Sequence, residues 1–231
     1  MNRIIGIAAI SVICLFNSIA FAGPPTRFIT SKIKEVRQEL SQEDSKAKRS
    51  DKEIDAKLRN ILDPVMEFER LSQNALRSHW KDLNAEQKTE FIALFRALVF
   101  HSYLERIRSA NESYTMIYED EEAKGRNAAA VTAISKTRNA EIELVFHLIR
   151  RPSTAWVVED IVIDEVSLVE NYREQFTRII AKDGFDALLS KMAKKLKRLG
   201  GEIPPEVKSL TEQKGKDKKA RGKRSKKKKR R

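Results

Sequence analysis

The sequence predicts an α+β domain with helices packed on one face of a curved, four-stranded antiparallel sheet. Three observations carry this. Apolar residues recur at helical spacing as far as Ser109. The pattern then shifts towards alternation through four segments, separated by the turn-like stretches EDEEAKG, KTRN and RRPS, and such short connections favour antiparallel neighbours. Helical spacing returns after Ser167.

Thr26 to Leu40 places Phe28, Ile29, Ile33, Val36 and Leu40 on one helical face. Ser41 to Lys52 reads as a charged connector that includes a mobile loop. A second helix starts near Asp51 and buries Ile54, Leu58, Ile61 and Leu62. It stops at Asp63-Pro64, because proline lacks an N–H and restricts the residue before it. Phe68, Leu71, Ala75 and Leu76 mark a third, short helix ending near Trp80.

The fourth helix, capped by Asn84 and Gln87, contains FIALFRALVF from Phe91 to Phe100, where Arg96 is the one polar residue. A helix without a wide polar face must be covered on most sides. A sheet, other helices or a bound apolar ligand would do this, and an ordinary core role for Phe91, Phe95 and Leu98 explains the same pattern.

Tyr114–Tyr118, Asn127–Ser135, Glu141–Arg150 and Ala155–Ile163 read as the strands. On the third, Ile142, Leu144, Phe146 and Leu148 share one face, which is expected to be dry throughout. Glu141, Glu143 and His147 share the other with Val145 and Ile149. Trp156 to Ile163 is almost continuously apolar and is expected to be covered on both faces. Glu119 to Glu122 reads as a solvated hairpin turn. Ser167 and Glu170 form a capping box for a helix bearing Leu168, Tyr172, Phe176 and Ile180. A last helix, Asp183 to Leu199, is stopped by Gly200-Gly201, with Lys194, Lys195, Lys197 and Arg198 near its negative dipole end.

Both ends of the chain stand apart from this body. Residues 1–22 have a short basic start at Asn2-Arg3, an uncharged stretch from Ile4 to Ala20, and an A-x-A site at Ala20-Phe21-Ala22. This describes a cleaved signal peptide rather than a retained anchor, and bulky Val12 and Ile13 argue against lipidation at Cys14. Without Cys14, the only cysteine, the exported chain has no thiol chemistry. From Thr211 to Arg231 nine Lys and four Arg face only Glu212 and Asp217. With Arg3 set aside, residues 23–210 therefore carry +1 of the total +13, and they are expected to form one domain with 211–231 as a disordered tail.

Catalytic grammar is missing. His79, His101 and His147 form no metal-binding pair, and no nucleophile elbow or glycine-rich phosphate loop is present. No catalytic residue, metal or cofactor is expected.

WVVEDIVIDEVSLVENYREQF, from Trp156 to Phe176, and DPVMEFERLSQNALRSHWKDLNAEQKTEFIALFRALVFHSYLERI, from Asp63 to Ile107, resemble the MlaC family, also described as toluene-tolerance proteins. With the strands from Asn127 to Ile149 and GFDALLSKMAKKL from Gly184 to Leu196, the resemblance covers roughly Pro24 to Leu199. It implies a cone-like fold related to nuclear-transport-factor-2 proteins and enclosing an apolar cavity. It also implies a periplasmic carrier that shuttles diacyl phospholipid between an outer-membrane lipoprotein complex and an inner-membrane ABC transporter complex of the Mla type, maintaining outer-membrane asymmetry without covalent chemistry.

For such a cavity the sequence offers Phe95, Leu98, Val99 and Tyr103 from the long helix, and Leu144, Phe146, Val158 and Val162 from the strands. Leu168, Tyr172 and Phe176 come from the helix after them. Tyr103 and Tyr172 also present hydroxyls suited to a headgroup or glycerol oxygen. The competing reading is a non-enzymatic periplasmic adaptor with a filled core, binding anionic surfaces or acidic proteins through its tail. Residues 214–231 suit an anionic membrane surface; nucleic acid is not expected, given the signal peptide and the absence of stacking aromatics in the tail.

Overall fold

The computed structural model describes residues 23–41, 50–109, 114–153 and 155–209. The signal peptide expected at 1–22, most of the charged connector and the basic tail lie outside the described residues.

Four helices come first: α1 (Pro24–Ser41), α2 (Asp51–Leu62), α3 (Phe68–Leu76) and α4 (Ala85–Ser109). Local chemistry sets their ends. Ser50 and Glu53 form a capping box at α2, a signal the sequence reading passed over. At α4, Asn84 and Gln87 exchange bonds, the Gln87 N–H donating to Asn84 Oδ1 at 2.9 Å and the Asn84 N–H to Gln87 Oε1 at 3.0 Å. After α3 the backbone turns at Arg77, φ 46°, into a 3-10 turn over Arg77–Asp82.

A meander follows: β1 (Thr115–Ala123), β2 (Ala128–Lys136), β3 (Glu141–Arg150), β4 (Trp156–Ile163) and the two-residue β5 (Val166–Ser167), antiparallel and in that order across the sheet. The fifth strand is an addition to the four expected. Asp164 and Glu165, both at positive φ, make the tight turn that folds β5 back on β4. Two helices follow the sheet, α5 (Leu168–Asp183) and α6 (Phe185–Arg198), divided at Gly184, where φ of 84° suits a residue without Cβ.

Two β-bulges correct the sequence reading. Glu119 is the extra residue between Tyr118, opposite Ala133, and Asp120, opposite Thr132. β1 therefore runs on to Ala123 where a solvated turn was expected, and Glu121 swings to the same face as Val131, its partner. There its Oε2 accepts from the Thr26 N–H at 2.9 Å and from Thr26 Oγ1 at 2.6 Å, capping α1. Replacing such a cap costs roughly 0.5–2 kcal/mol. Glu121→Ala is expected to lower the melting temperature by about 2–4 °C per kcal/mol lost, read by thermal circular dichroism; an unchanged transition would remove the cap from the account.

The second bulge is Glu159, between Val158, opposite Leu148, and Asp160, opposite His147. It reverses the alternation along β4. Ile161 joins Val158 on the face of Phe146, while Val162 pairs with Val145 and Ser167 on the opposite side. β4 is also not dry on both faces: only Val157 and Val158 are buried, and Glu159 to Ile163 are half-buried. Similarly, the β3 face is dry at Phe146 and Leu148 but opens at Ile142, which is 36 % exposed.

The core divides into three apolar clusters. The first joins α3, α4, α5 and α6. The second lies on the inner sheet face, where Val131, Ala133, Phe146, Leu148 and Val158 pack with Ile29 of α1 and Val65. The third ties α1 and α2 to the end of α4 through Leu40, Ile54, Leu58, Phe100 and Leu104. The free edge of β4 is covered by the chain before α3, the Val158 N–H donating to Val65 O at 2.7 Å and the Glu67 N–H to Val158 O at 2.9 Å. Met66, between them, packs against both of the first two clusters.

Candidate functional site

The apolar run of α4 is covered by an aromatic cluster. Phe91 and Phe95 are fully buried and meet Tyr172 and Phe176 of α5. Phe95 contacts Tyr172 edge-on at 5.0 Å and Phe176 at 5.6 Å, and Phe91 contacts Phe176 at 5.5 Å. The spacing of 172 and 176, one turn apart, puts both rings on the face that meets α4.

α5 is aimed by its N-terminus. Ser167 Oγ accepts from the Glu170 N–H at 3.0 Å, as expected, but Glu170 pairs with Arg173 rather than closing the box. Asp160 supplies the second part: its Oδ2 accepts from Ser167 Oγ at 2.5 Å and its Oδ1 from the Val169 N–H at 3.1 Å. A β4 carboxylate thus holds the positive end of the helix that carries Tyr172 and Phe176.

The structure divides the predicted wall. Phe95, Leu98, Val99, Leu168, Tyr172 and Phe176 lie in the helical cluster, with Tyr103 packed at its edge. Leu144, Phe146 and Val158 lie in the sheet cluster beneath α1. Val162 belongs to neither cluster, because the Glu159 bulge turns it away; Ile161 holds the inward position the sequence reading assigned to it. The helical residues pack into one cluster, and Leu98, Tyr172 and Phe176 also line an open groove. Burial raises the pKa of Tyr172, opposed by its hydroxyl contact with Ser102 Oγ at 3.4 Å. Tyr103 is raised for the same main reason, with Arg106 opposing.

A groove of about 270 Å³ opens over this cluster between α5 and α6. Its floor includes Leu98, Tyr172, Phe176, Ile179, Leu188 and Met192, and its rim carries Lys191, Lys194, Lys195 and Arg198. Leu98, Tyr172 and Phe176 were legible as wall candidates. Ile179, Leu188 and Met192 were not, although their helical spacing from Tyr172 and from one another could have found them.

A larger pocket, about 540 Å³, lies between α2, α4 and the segment after α6, and its lining mixes charged side chains with alanine, proline and isoleucine. Arg96, the lone polar residue of the α4 run, faces it half-buried, its guanidinium 5.2 Å from the Phe68 ring and its Nε without a hydrogen-bond partner. Asp63 there is held above the usual carboxylate range by burial, against the pull of Arg96 and Arg59. Arg59 Nη2 stands 3.2 Å from His101 Nε2. A guanidinium only donates, so a hydrogen bond here requires Nε2 as the acceptor, the arrangement of a neutral ring.

Burial first and Arg59 second hold the His101 pKa below its ordinary 6.5. The unfolded ring therefore takes up its proton at higher pH than the folded one, so the stabilisation is complete above about pH 6.5 and is lost as pH falls through the folded value. His101→Gln should flatten the fall in melting temperature between about pH 7 and 5. An equal fall in both proteins would count against a neutral, half-buried ring.

A match to the family described as MlaC protein spans residues 30–194. This chain belongs to the MlaC family. The intermembrane phospholipid transport system binding protein MlaC of Haemophilus influenzae is 28 % identical over 151 residues, 64 % of this chain and 71 % of that protein. The fold is shared with the phospholipid-binding protein of Ralstonia solanacearum, whose structure was solved in complex with a phospholipid. That comparison has a TM-score of 0.67 at 20 % identity and covers 75 % of this chain and 97 % of the other. The MlaC-type region thus takes in α4, the sheet and α5, every element that supplied a wall candidate, and most of α6.

Proposed function

We propose that this MlaC-family chain is a non-enzymatic phospholipid carrier, working in the periplasm between an outer-membrane lipoprotein complex and an inner-membrane ABC transporter complex of the Mla type. Membership of the family across most of the folded body carries this reading. The named relative is an intermembrane phospholipid transport binding protein, and the structural neighbour holds a phospholipid. The predicted signal peptide agrees with export.

Physical chemistry agrees as well. Two chains of about 16 carbons, at roughly 0.8 kcal/mol per CH2, would cost on the order of 25 kcal/mol if exposed to water. A soluble carrier must therefore cover both chains, yet transfer from a bilayer to an apolar protein site is nearly balanced, which permits release. The helical cluster beneath the α5–α6 groove is the surface we assign to the chains. Because its residues touch, α5 and α6 must part from α4 as the chains pass Tyr172 and Phe176. The same contacts support the second reading, an adaptor with a filled core.

Native mass spectrometry of the full chain, purified without detergent, separates the two. The expected result is one diacyl phospholipid per chain. A bare polypeptide mass, even after incubation with phosphatidylglycerol vesicles, would overturn the carrier. The tail is assigned to anionic bilayers: deleting residues 211–231 is expected to weaken sedimentation with such vesicles, most at low salt, and equal sedimentation would free the tail of that role.

A further inference from the structure

The chain does not leave the domain after α6. Gly200, at φ 79°, turns it back, and the Gly201 N–H donates to Leu196 O at 2.9 Å. A Cβ at Gly201 would collide with Leu196 of α6 and His101 of α4, so the returning segment starts in close contact with both helices. Ile203 then packs against the helical cluster, Val207 is a fully buried member of it, and Pro204 and Pro205 stiffen the backbone between them. At the far end Ser209 meets Glu90 across 119 positions: its N–H donates to Glu90 Oε1 at 2.7 Å and its Oγ to Oε2 at 2.6 Å. Ser209 also shares a small pocket with Glu86 of α4 and with Asp186 and Leu189 of α6.

Residues 201–209 therefore form a strap that ties α6 to α4 at two points, His101 and Glu90, roughly three turns of α4 apart. The Glu90 end is the sensitive one. Glu90 is only 2 % exposed, and a carboxylate so deeply buried is costly to leave unbonded; Ser209 supplies a bond to each of its oxygens. The family match ends at residue 194, before the strap begins, so membership assigns it no role. Directly beyond Ser209 the sequence runs into the basic tail, from Lys214 to Arg231.

We infer that residues 201–209 are a latch on α6, which an anionic bilayer releases by drawing in the tail. This rests on the carrier reading and the tail assignment above. Acyl chains pass only when α5 and α6 part from α4, and α6 cannot move off while the strap is seated at both ends. A bilayer shifts that equilibrium only by binding the two states unequally. The inequality lies in reach: with Ser209 free, the strap itself lengthens the tether by roughly 30 Å of extended chain, so more of the basic run lies on the surface. Exposure of Val207 and loss of the Glu90 bonds oppose release, and away from an anionic surface they keep the carrier shut.

The full chain, loaded with a fluorescent phosphatidylglycerol, is mixed with phosphatidylcholine vesicles or with vesicles that also contain phosphatidylglycerol, and the rate of transfer is read. The native chain should deliver about tenfold faster to the anionic vesicles. Deleting residues 211–231 should make both rates slow. Ser209→Pro, which removes both donors to Glu90, should make both fast, with Ser209→Ala, which keeps the N–H, between it and the native chain. Equal native rates on the two vesicles, or a Ser209→Pro rate on phosphatidylcholine no faster than native, overturn the latch. Hydrogen exchange of the lipid-free chain reads the same device without cargo: the Val207 and Ser209 amides should exchange faster on anionic vesicles while β2 and β3 stay protected, and that protection in Ser209→Pro shows it is folded. Unchanged exchange at the strap overturns the latch even in a chain that carries lipid. A chain that takes up no phosphatidylglycerol overturns the carrier reading, and strap exchange then tests the latch by itself.

Discussion

Phe95→Ala is expected to lower the unfolding free energy by about 3–5 kcal/mol, the largest single effect predicted here. Phe95 is fully buried and contacts Phe91, Tyr172 and Phe176 at ring-centroid distances of 5.5, 5.0 and 5.6 Å. Truncation removes the hub of these contacts and leaves a cavity that two packed helices cannot collapse without moving their backbones. At about 2–4 °C per kcal/mol for a domain of this size, the melting temperature should fall by roughly 10 °C. A fall of only a degree or two would mean that the cluster rearranges freely around the gap, and the aromatic contacts would then not be the device that holds α4 to α5.

Ile179→Trp is expected to reduce the phospholipid that co-purifies with the chain by about tenfold or more, with little change in stability. Ile179 is half-buried at the groove floor, so an indole there enters open volume rather than packed core and the usual overpacking strain is small. It would still obstruct passage to Tyr172 and Phe176. A tenfold loss needs only about 1.4 kcal/mol, a small part of the roughly 25 kcal/mol at stake in covering two acyl chains. Leu144→Trp is the matched substitution on the inner sheet face, whose cluster includes Ile29 of the α1 that Glu121 pins. It should leave lipid content within about twofold, well under 1 kcal/mol. The reverse pattern, loss with Leu144→Trp and retention with Ile179→Trp, would move the acyl site from the helical cluster to the sheet.

Much of the fold was legible because it is encoded locally. Asn84 with Gln87, Ser167 as N-cap, the Asp63-Pro64 break and the Gly200 stop each act within a few residues, the first two starting a helix and the last two stopping one where the sequence predicted. Among the candidate site residues, Phe95, Leu98, Tyr172 and Phe176 were readable because the 3.6-residue period projects them onto facing stripes. Val162 was misplaced, and the reason is specific: strand faces were assigned by counting in twos, and one inserted residue at Glu159 inverts the count. The partnership of Glu121 with Thr26 spans 95 positions and left no trace in the local pattern of either segment.

The sequence by itself therefore determined the order and type of the elements, most of their ends, and the resemblance that the family match bears out, since period, caps and word order are properties of neighbouring residues. Tertiary structure alone decided which strand faces point inward after Glu119 and Glu159, which carboxylates hold α1 and α5, and that the α6 basic stripe borders an apolar groove. A cation in the last turn of a helix satisfies the dipole whatever lies beside it. Only the packing of α5 against α6 shows what that stripe overlooks, because it depends on contacts between segments that the chain keeps apart until it folds.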